Sequence, residues 1–183
     1  GRRCERPGDA RRLRKRKGEG GMQPSEREVL VGTLEAMRSL ELAMAEFYGL
    51  CAEVWHDEEE MWRNIERAEL QHAEYVEKSS GLLRERPERF EQGCVVDPVV
   101  LREETAGLRD GVRRMRAGLL GRREILRILG EAEQSVLERR YTDMLVSQFL
   151  DYIYWISEIV SQTETHRQFI ARKVEELTAG GAG

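Results

Sequence analysis

At 183 residues the chain is long enough for one domain with a sizeable core and too short for two ordinary ones. Charged residues make up 35% and Pro occurs only 4 times, a composition of long uninterrupted helices, with no run of about 18 apolar residues to span a bilayer and no apolar stretch of a secretory signal near the basic start. The formal charge of -4 divides unevenly: residues 1–21 hold nine Arg or Lys against three acids, a local +6 that leaves -10 for the rest.

These features predict an all-α, cytoplasmic protein that does not enter a membrane. Cys4, Cys51 and Cys94 form no C-x-x-C pair, which excludes a zinc knuckle, a rubredoxin-type iron site or a disulfide framework and leaves reduced thiols.

In chain order, residues 1–22 come first. The run Arg11-Arg12-Leu13-Arg14-Lys15-Arg16-Lys17 has the charge to meet phosphates, but its Gly-rich flanks and lack of an apolar stripe predict a basic disordered tail. No other part of the chain suggests nucleic acid. The bundle domain is expected over residues 23–178 and a flexible Gly-rich tail over 179–183.

A first helix is signalled by Pro24-Ser25-Glu26-Arg27-Glu28, with Ser25 as cap and Glu28 as its capping-box partner. Leu30, Leu34, Met37, Glu41, Met44, Tyr48, Cys51 and Trp55 then recur at steps of three and four, so one carboxylate sits inside an apolar stripe. Asp57 with Glu60 signals a second start. The stripe that follows, Trp62, Ile65, Glu69, His72, Val76, Ser79 and Leu83, turns a carboxylate and an imidazole inward.

Beyond Pro87, a connection with Gly93 and Pro98 leads into an Arg-rich amphipathic stretch from about Val99 to Leu120, too long for a hairpin turn and read as a crossover containing a helical turn or more. A third long helix after Gly121 points Leu126, Leu129, Glu133, Val136, Leu137 and Met144 inward. A fourth, running to about Thr178, does the same with Phe149, Ile153, Ile156, Val160, Thr163, His166, Ile170 and Val174. Residues level with one another in an antiparallel hairpin share a nearly constant index sum. Glu41 facing 69–72 and Glu133 facing 163–166 therefore place the two turns at about positions 56 and 149.

Carboxylates inside apolar stripes are costly to bury without a cation, and a metal ion offsets that cost. Glu69-Leu70-Gln71-His72 carries the Glu-x-x-His spacing that converges both ligands on one point, and Glu41, Glu133 and His166 lie at matching heights. Mixed carboxylate and imidazole ligands suit iron, with manganese or zinc as alternatives. Glu46 and Glu138, five residues from Glu41 and Glu133, fall about 140° around their helices and read as solvated, as does Glu164, about 100° from Thr163. His56 falls at a turn and reads as exposed. Tyr48 is read as core rather than as a radical site.

Leu40-Glu41-Leu42-Ala43-Met44-Ala45-Glu46-Phe47-Tyr48, Glu69-Leu70-Gln71-His72-Ala73-Glu74 and Ala132-Glu133-Gln134-Ser135-Val136-Leu137-Glu138 together resemble the rubrerythrin branch of the ferritin-like superfamily, over about residues 25–178. The resemblance implies a ferritin-like four-helix bundle with a long crossover between its second and third helices. It also implies a non-haem di-iron site on Glu41, Glu69, His72, Glu133 and His166, oxidoreductase activity toward peroxide or oxygen, and a homodimer. Two departures matter. The second Glu-x-x-His reads Thr163-Glu164-Thr165-His166, so a threonine stands where the family places a carboxylate. Without paired C-x-x-C motifs the chain carries no rubredoxin module, so electrons must come from an external donor. Three functions stay open: a redox enzyme, an iron-binding or storage protein without turnover, and a structural bundle with a degenerate metal site.

Overall fold

The structure, a computed structural model, describes residues 22–94, 96–138 and 143–180; of Glu138 and Gly180 it describes the backbone alone. The expected basic tail over 1–22 thus lies outside the described residues except for Met22, and so do residues 181–183 of the expected C-terminal tail. The described chain is mainly helical: α1 Pro24–Val54, α2 Glu59–Glu85, α3 Pro98–Arg116, α4 Arg122–Glu138 and α5 Leu150–Gly180, with a two-stranded ladder of β1 Phe90–Gln92 and β2 Leu145–Ser147. None of these helices is long and apolar enough to cross a membrane.

Helix α1 starts two residues earlier than a cap at Ser25 would place it, with Gln23 in the cap position. Pro24 takes the first helical position, where its missing N–H costs nothing, and Glu26 accepts from the Gln23 backbone N–H at 2.9 Å. Its stripe is buried from Leu30 to Cys51, and only Trp55, past the helix end, is half-exposed. The first hairpin turn falls at the position the index sum gives, a short 3-10 turn over His56–Glu58. All seven residues of the second stripe, Trp62 to Leu83, are buried on α2. The crossover holds the helical turn or more expected of it, as a helix of 19 residues, Pro98–Arg116. Asp97 caps α3 by accepting from Val99 N–H at 2.9 Å, and the helix lies along α1 so closely that a Cβ on Gly111 would meet Phe47 Cε1 at 2.7 Å.

The second half departs further from the sequence reading. The described part of α4 runs to Glu138, and Met144, though buried, is not helical. The connection adds β2, which pairs antiparallel with β1 in the register Phe90↔Ser147, Glu91↔Val146 and Gln92↔Leu145. This ladder sets the phase of α5. Tyr152 turns inward, donating its hydroxyl to Leu145 O at 3.0 Å and meeting the Phe90 ring edge-on at 5.4 Å. The neighbouring Ile153 is left 48% exposed, and one helical repeat on, Ile159 is buried while Val160 is 40% exposed. From Thr163 through Ile170 the observed and expected faces coincide.

At the opposite end, Glu58 binds three elements together. It accepts from Trp62 Nε1 at 3.2 Å and from Lys173 Nζ of α5 at 2.9 Å, and it is paired with Arg122 at the start of α4. Burial works against the charge on Glu58, but Lys173, Arg122 and Trp62 outweigh it and hold the carboxyl below its usual value.

Candidate metal centre

Four helices bring one polar layer together in the core: Glu41 from α1, Glu69 and His72 from α2, Glu133 from α4 and His166 from α5, all buried. Each sits in its helix between apolar turns, Met37 and Met44 around Glu41, Ile65 and Val76 around Glu69 and His72, Leu129 and Val136 around Glu133, and Ile170 beyond His166. Those neighbours remove water from the layer, so its charges must be met by one another or by a bound cation.

The five side chains divide into two overlapping triads. Ligand atoms of Glu41, Glu69 and His72 lie within 4.8 Å of one another, and so do those of Glu69, Glu133 and His166. Glu69 belongs to both. Its Oε2 is 3.2 Å from His72 Nδ1 and its Oε1 is 2.7 Å from His166 Nδ1, while Glu41 Oε2 and Glu133 Oε1 lie 3.5 Å from the same two nitrogens respectively. The two imidazole rings stack at 6.0 Å across the layer.

Close approach is not full hydrogen bonding. Glu41 Oε1, Glu69 Oε1, Glu133 Oε2 and His166 Nδ1 are buried and form no hydrogen bond, the His166 to Glu69 approach being short but badly aligned. An unmet buried carboxylate oxygen is uncommon, and several aimed into one layer are a donor set of the kind a divalent cation completes. The residues present therefore fit a metal pair with Glu69 shared between the two positions.

Proton affinities follow from the same crowding. Burial, reinforced by Glu69, raises Glu41 to about 8 despite His72 beside it, and burial with Glu69 raises Glu133 to about 7. Glu69 is also penalised by burial, but His166 and His72 on either side outweigh that and hold it well below the usual carboxyl range. For His72 burial disfavours the charge, yet Glu41 and Glu69 carry it up to about 11, and Glu133 with Glu69 carries His166 to about 9. Glu41, Glu133, His72 and His166 are thus all shifted toward their protonated forms.

Two further side chains hold the layer in place. Gln162 Oε1 lies 3.0 Å from His72 Nε2, and since an amide oxygen only accepts, that nitrogen carries the proton and Nδ1 is turned to the carboxylates. Gln162 is held in turn by donating to Glu158 Oε2 at 3.1 Å. Tyr48 donates its hydroxyl to Glu133 Oε1 at 2.5 Å. The sequence reading missed both roles. Tyr48 is two turns beyond Glu41 on the same stripe, and Gln162 is one turn before His166, signals that a polar group near a buried carboxylate or imidazole could have raised.

The residues read as solvated behave so. Glu46 is exposed and pairs with Arg116 at 3.1 Å, Glu164 pairs with Arg167 at 2.7 Å, and His56 is exposed; the Glu138 side chain lies outside the described residues. Thr163 is buried on α5 one turn before His166. Cys51 is buried and Cys94 half-buried, both free of disulfides. No protein-family model, no curated protein and no solved structure matches the chain.

Proposed function

We propose that the chain is a ferritin-like, rubrerythrin-related metal protein, a four-helix bundle of α1, α2, α4 and α5 with α3 as crossover, carrying a non-haem di-iron centre of oxidoreductase type. The observation that carries this reading is the pair of triads sharing Glu69, with unmet oxygens on three glutamates and an unmet nitrogen on His166, sealed in an apolar core. Glu41 and His72 would hold one ion, Glu133 and His166 the other, and Glu69 would bridge. Iron, when bound, supplies a redox couple and coordination positions for peroxide or dioxygen.

The chain's own part is to place and insulate those ligands. Gln162 fixes the His72 tautomer, Tyr48 orients Glu133, and the apolar turns on either side exclude bulk water. Electrons come from an external donor. A homodimer, which the resemblance implies, would cover the apolar side of α5 formed by Leu150, Ile153, Tyr154 and Val160, all exposed in the single chain.

A reading without turnover is favoured by one feature, Thr163, which brings a hydroxyl where the resemblance places a further carboxylate. Anaerobic titration with Fe(II) followed by reaction with peroxide separates the readings. Two ions per chain, then rapid oxidation that an external reductant reverses, is the expected result. Binding with no accelerated oxidation would leave an iron-binding protein, and failure to bind any divalent ion would leave a structural bundle.

A further inference from the structure

The buried centre needs electrons from outside, and a line of oxidisable rings leads out from it. Tyr48 touches the layer through its hydroxyl on Glu133 Oε1, 2.5 Å away, and its ring lies 6.3 Å from the His166 ring. On its other side it stacks on Trp62 with ring centroids 6.0 Å apart and planes within 19°. Trp62 in turn meets Trp55 at 5.1 Å. Tyr48 and Trp62 are wholly buried; Trp55, at the hairpin between α1 and α2, is half-exposed beneath the Arg122 guanidinium, which lies 4.6 Å from its ring centroid.

We propose that Tyr48, Trp62 and Trp55 form a relay carrying single electrons between the hairpin end of the molecule and the metal centre; this rests on the redox reading above. Tyrosine and tryptophan are the aromatic side chains that yield one electron at biologically reachable potentials. Tunnelling falls steeply with distance, so short steps between adjacent rings outpace one long leap. Phe169 also meets Trp62, edge-on at 5.0 Å, but it is not readily oxidised and is no step of the line; a buried phenol or indole needs an acceptor for its polar hydrogen. Both buried members have one: the phenol donates to Glu133, and Trp62 Nε1 donates to Glu58 Oε2 at 3.2 Å. Glu58 is kept ionised by Lys173 and Arg122, so it stabilises positive charge on the indole.

The electron balance closes with two named co-reactants, peroxide as oxidant and a one-electron carrier such as a reduced flavin or iron–sulfur protein as reductant. Tyr48 gives one electron to the oxidised metal pair while its phenolic proton shifts along the existing hydrogen bond to Glu133. The phenoxyl radical then takes an electron from Trp62 and recovers that proton. Trp62 is refilled by Trp55, and Trp55 by the carrier. Two passages deliver the two electrons that, with two protons from solvent, reduce one peroxide to two waters.

The relay is tested in metal-free protein, so that its failure is read apart from that of the metal site. Trp155→Phe leaves Trp55 and Trp62 as the remaining indoles of the three in the chain. Pulse-generated azide radicals oxidise the accessible indole, and transient absorption follows the indolyl radical as it converts to a phenoxyl radical. The expected result is conversion at a rate independent of protein concentration, with loss of that phase in Tyr48→Phe and in Trp62→Phe. Trp55→Phe, changed at a half-exposed position outside the core, should lose it too while unfolding at the parent temperature, which covers the case of a core variant that folds poorly. A phenoxyl phase that persists unchanged in Tyr48→Phe or Trp55→Phe overturns the relay. Fe(II) titration of the parent runs beside it: iron binding without radical transfer removes the relay alone, and transfer without iron binding removes the redox reading that gives it a purpose.

Discussion

Glu69 differs from the other four residues of the polar layer in belonging to both triads, and this makes its loss unlike theirs. Removing Glu41 or Glu133 takes an anion from one position, whereas Glu69→Ala takes one from both and leaves His72 and His166 without the carboxylate that lies nearest to each. Bound metal per chain, measured by elemental analysis, should fall furthest in Glu69→Ala, partly in Glu41→Ala and Glu133→Ala, and not in Glu164→Ala, whose carboxylate is occupied by Arg167. Equal losses in Glu69→Ala and Glu164→Ala would refute the assignment. Gln162 acts one step further out. Gln162→Leu fills similar volume but cannot hold His72 Nε2–H, so metal affinity should weaken by about 10–100-fold, the usual effect of losing an outer-sphere partner. An unchanged titration would show that packing alone orients His72.

At the level of elements, the ladder between β1 and β2 fixes how α5 enters the bundle, and Gly93 permits it. Gly93 N–H donates to Met144 O at 2.8 Å and Cys94 N–H to Asp143 O at 2.9 Å, extending the pairing past Gln92. A Cβ on Gly93 would lie 2.0 Å from the Asp143 carbonyl oxygen, which is backbone and cannot rotate away. Gly93→Ala should therefore part the two segments and lower stability by roughly 1–3 kcal/mol or somewhat more, as for other overpacked sites. Gly111→Ala meets only the Phe47 ring, a side chain with some freedom, and should cost less. Denaturant midpoints of the two variants decide this, and the reverse order would show that the ladder does not constrain the fold.

For the whole molecule, the protons held in the polar layer make stability depend on pH. The neighbouring carboxylates push His72 and His166 up to about 11 and about 9 from 6.5 for a free imidazole, and burial pushes Glu41 and Glu133 up to about 8 and about 7 from 4.5 for a free carboxyl. All four bind protons more tightly when folded, so the stability they contribute is lost as pH rises through those values. Glu69 acts in the opposite sense, but its contribution is lost only below the ordinary carboxyl range. The metal-free protein should consequently melt at a lower temperature at pH 9 than at pH 6.5. Metal binding reverses the slope, because ligation needs neutral imidazole and ionised carboxylate and is favoured by each proton released. Thermal unfolding with and without Mn(II), which resists air oxidation, across that interval checks both signs. Parallel curves would show that the ion does not bind at this layer.

Periodicity along single helices made five residues legible: Glu41, Glu69, His72, Glu133 and His166 each interrupt an apolar stripe, and a stripe is a local property of a chain turning about 100° per residue. The first hairpin was legible for the same reason, since two stripes and one turn fix its register. The start of α5 was not. Ile153 and Val160 serve a stripe leading to Thr163 as well as Tyr152 and Ile159 do, and only the pairing of β2 with β1, formed by segments more than fifty positions apart in sequence, selects the second. The same holds inside the layer. Sequence placed the five polar residues at one height, but which carboxylate is common to both triads, that Tyr48 meets Glu133, and that Gln162 meets His72 depend on the offsets and rotations between helices. Those are set by distant contacts, the ladder at one end and the Glu58 cluster at the other, and no single helix carries them in its own period.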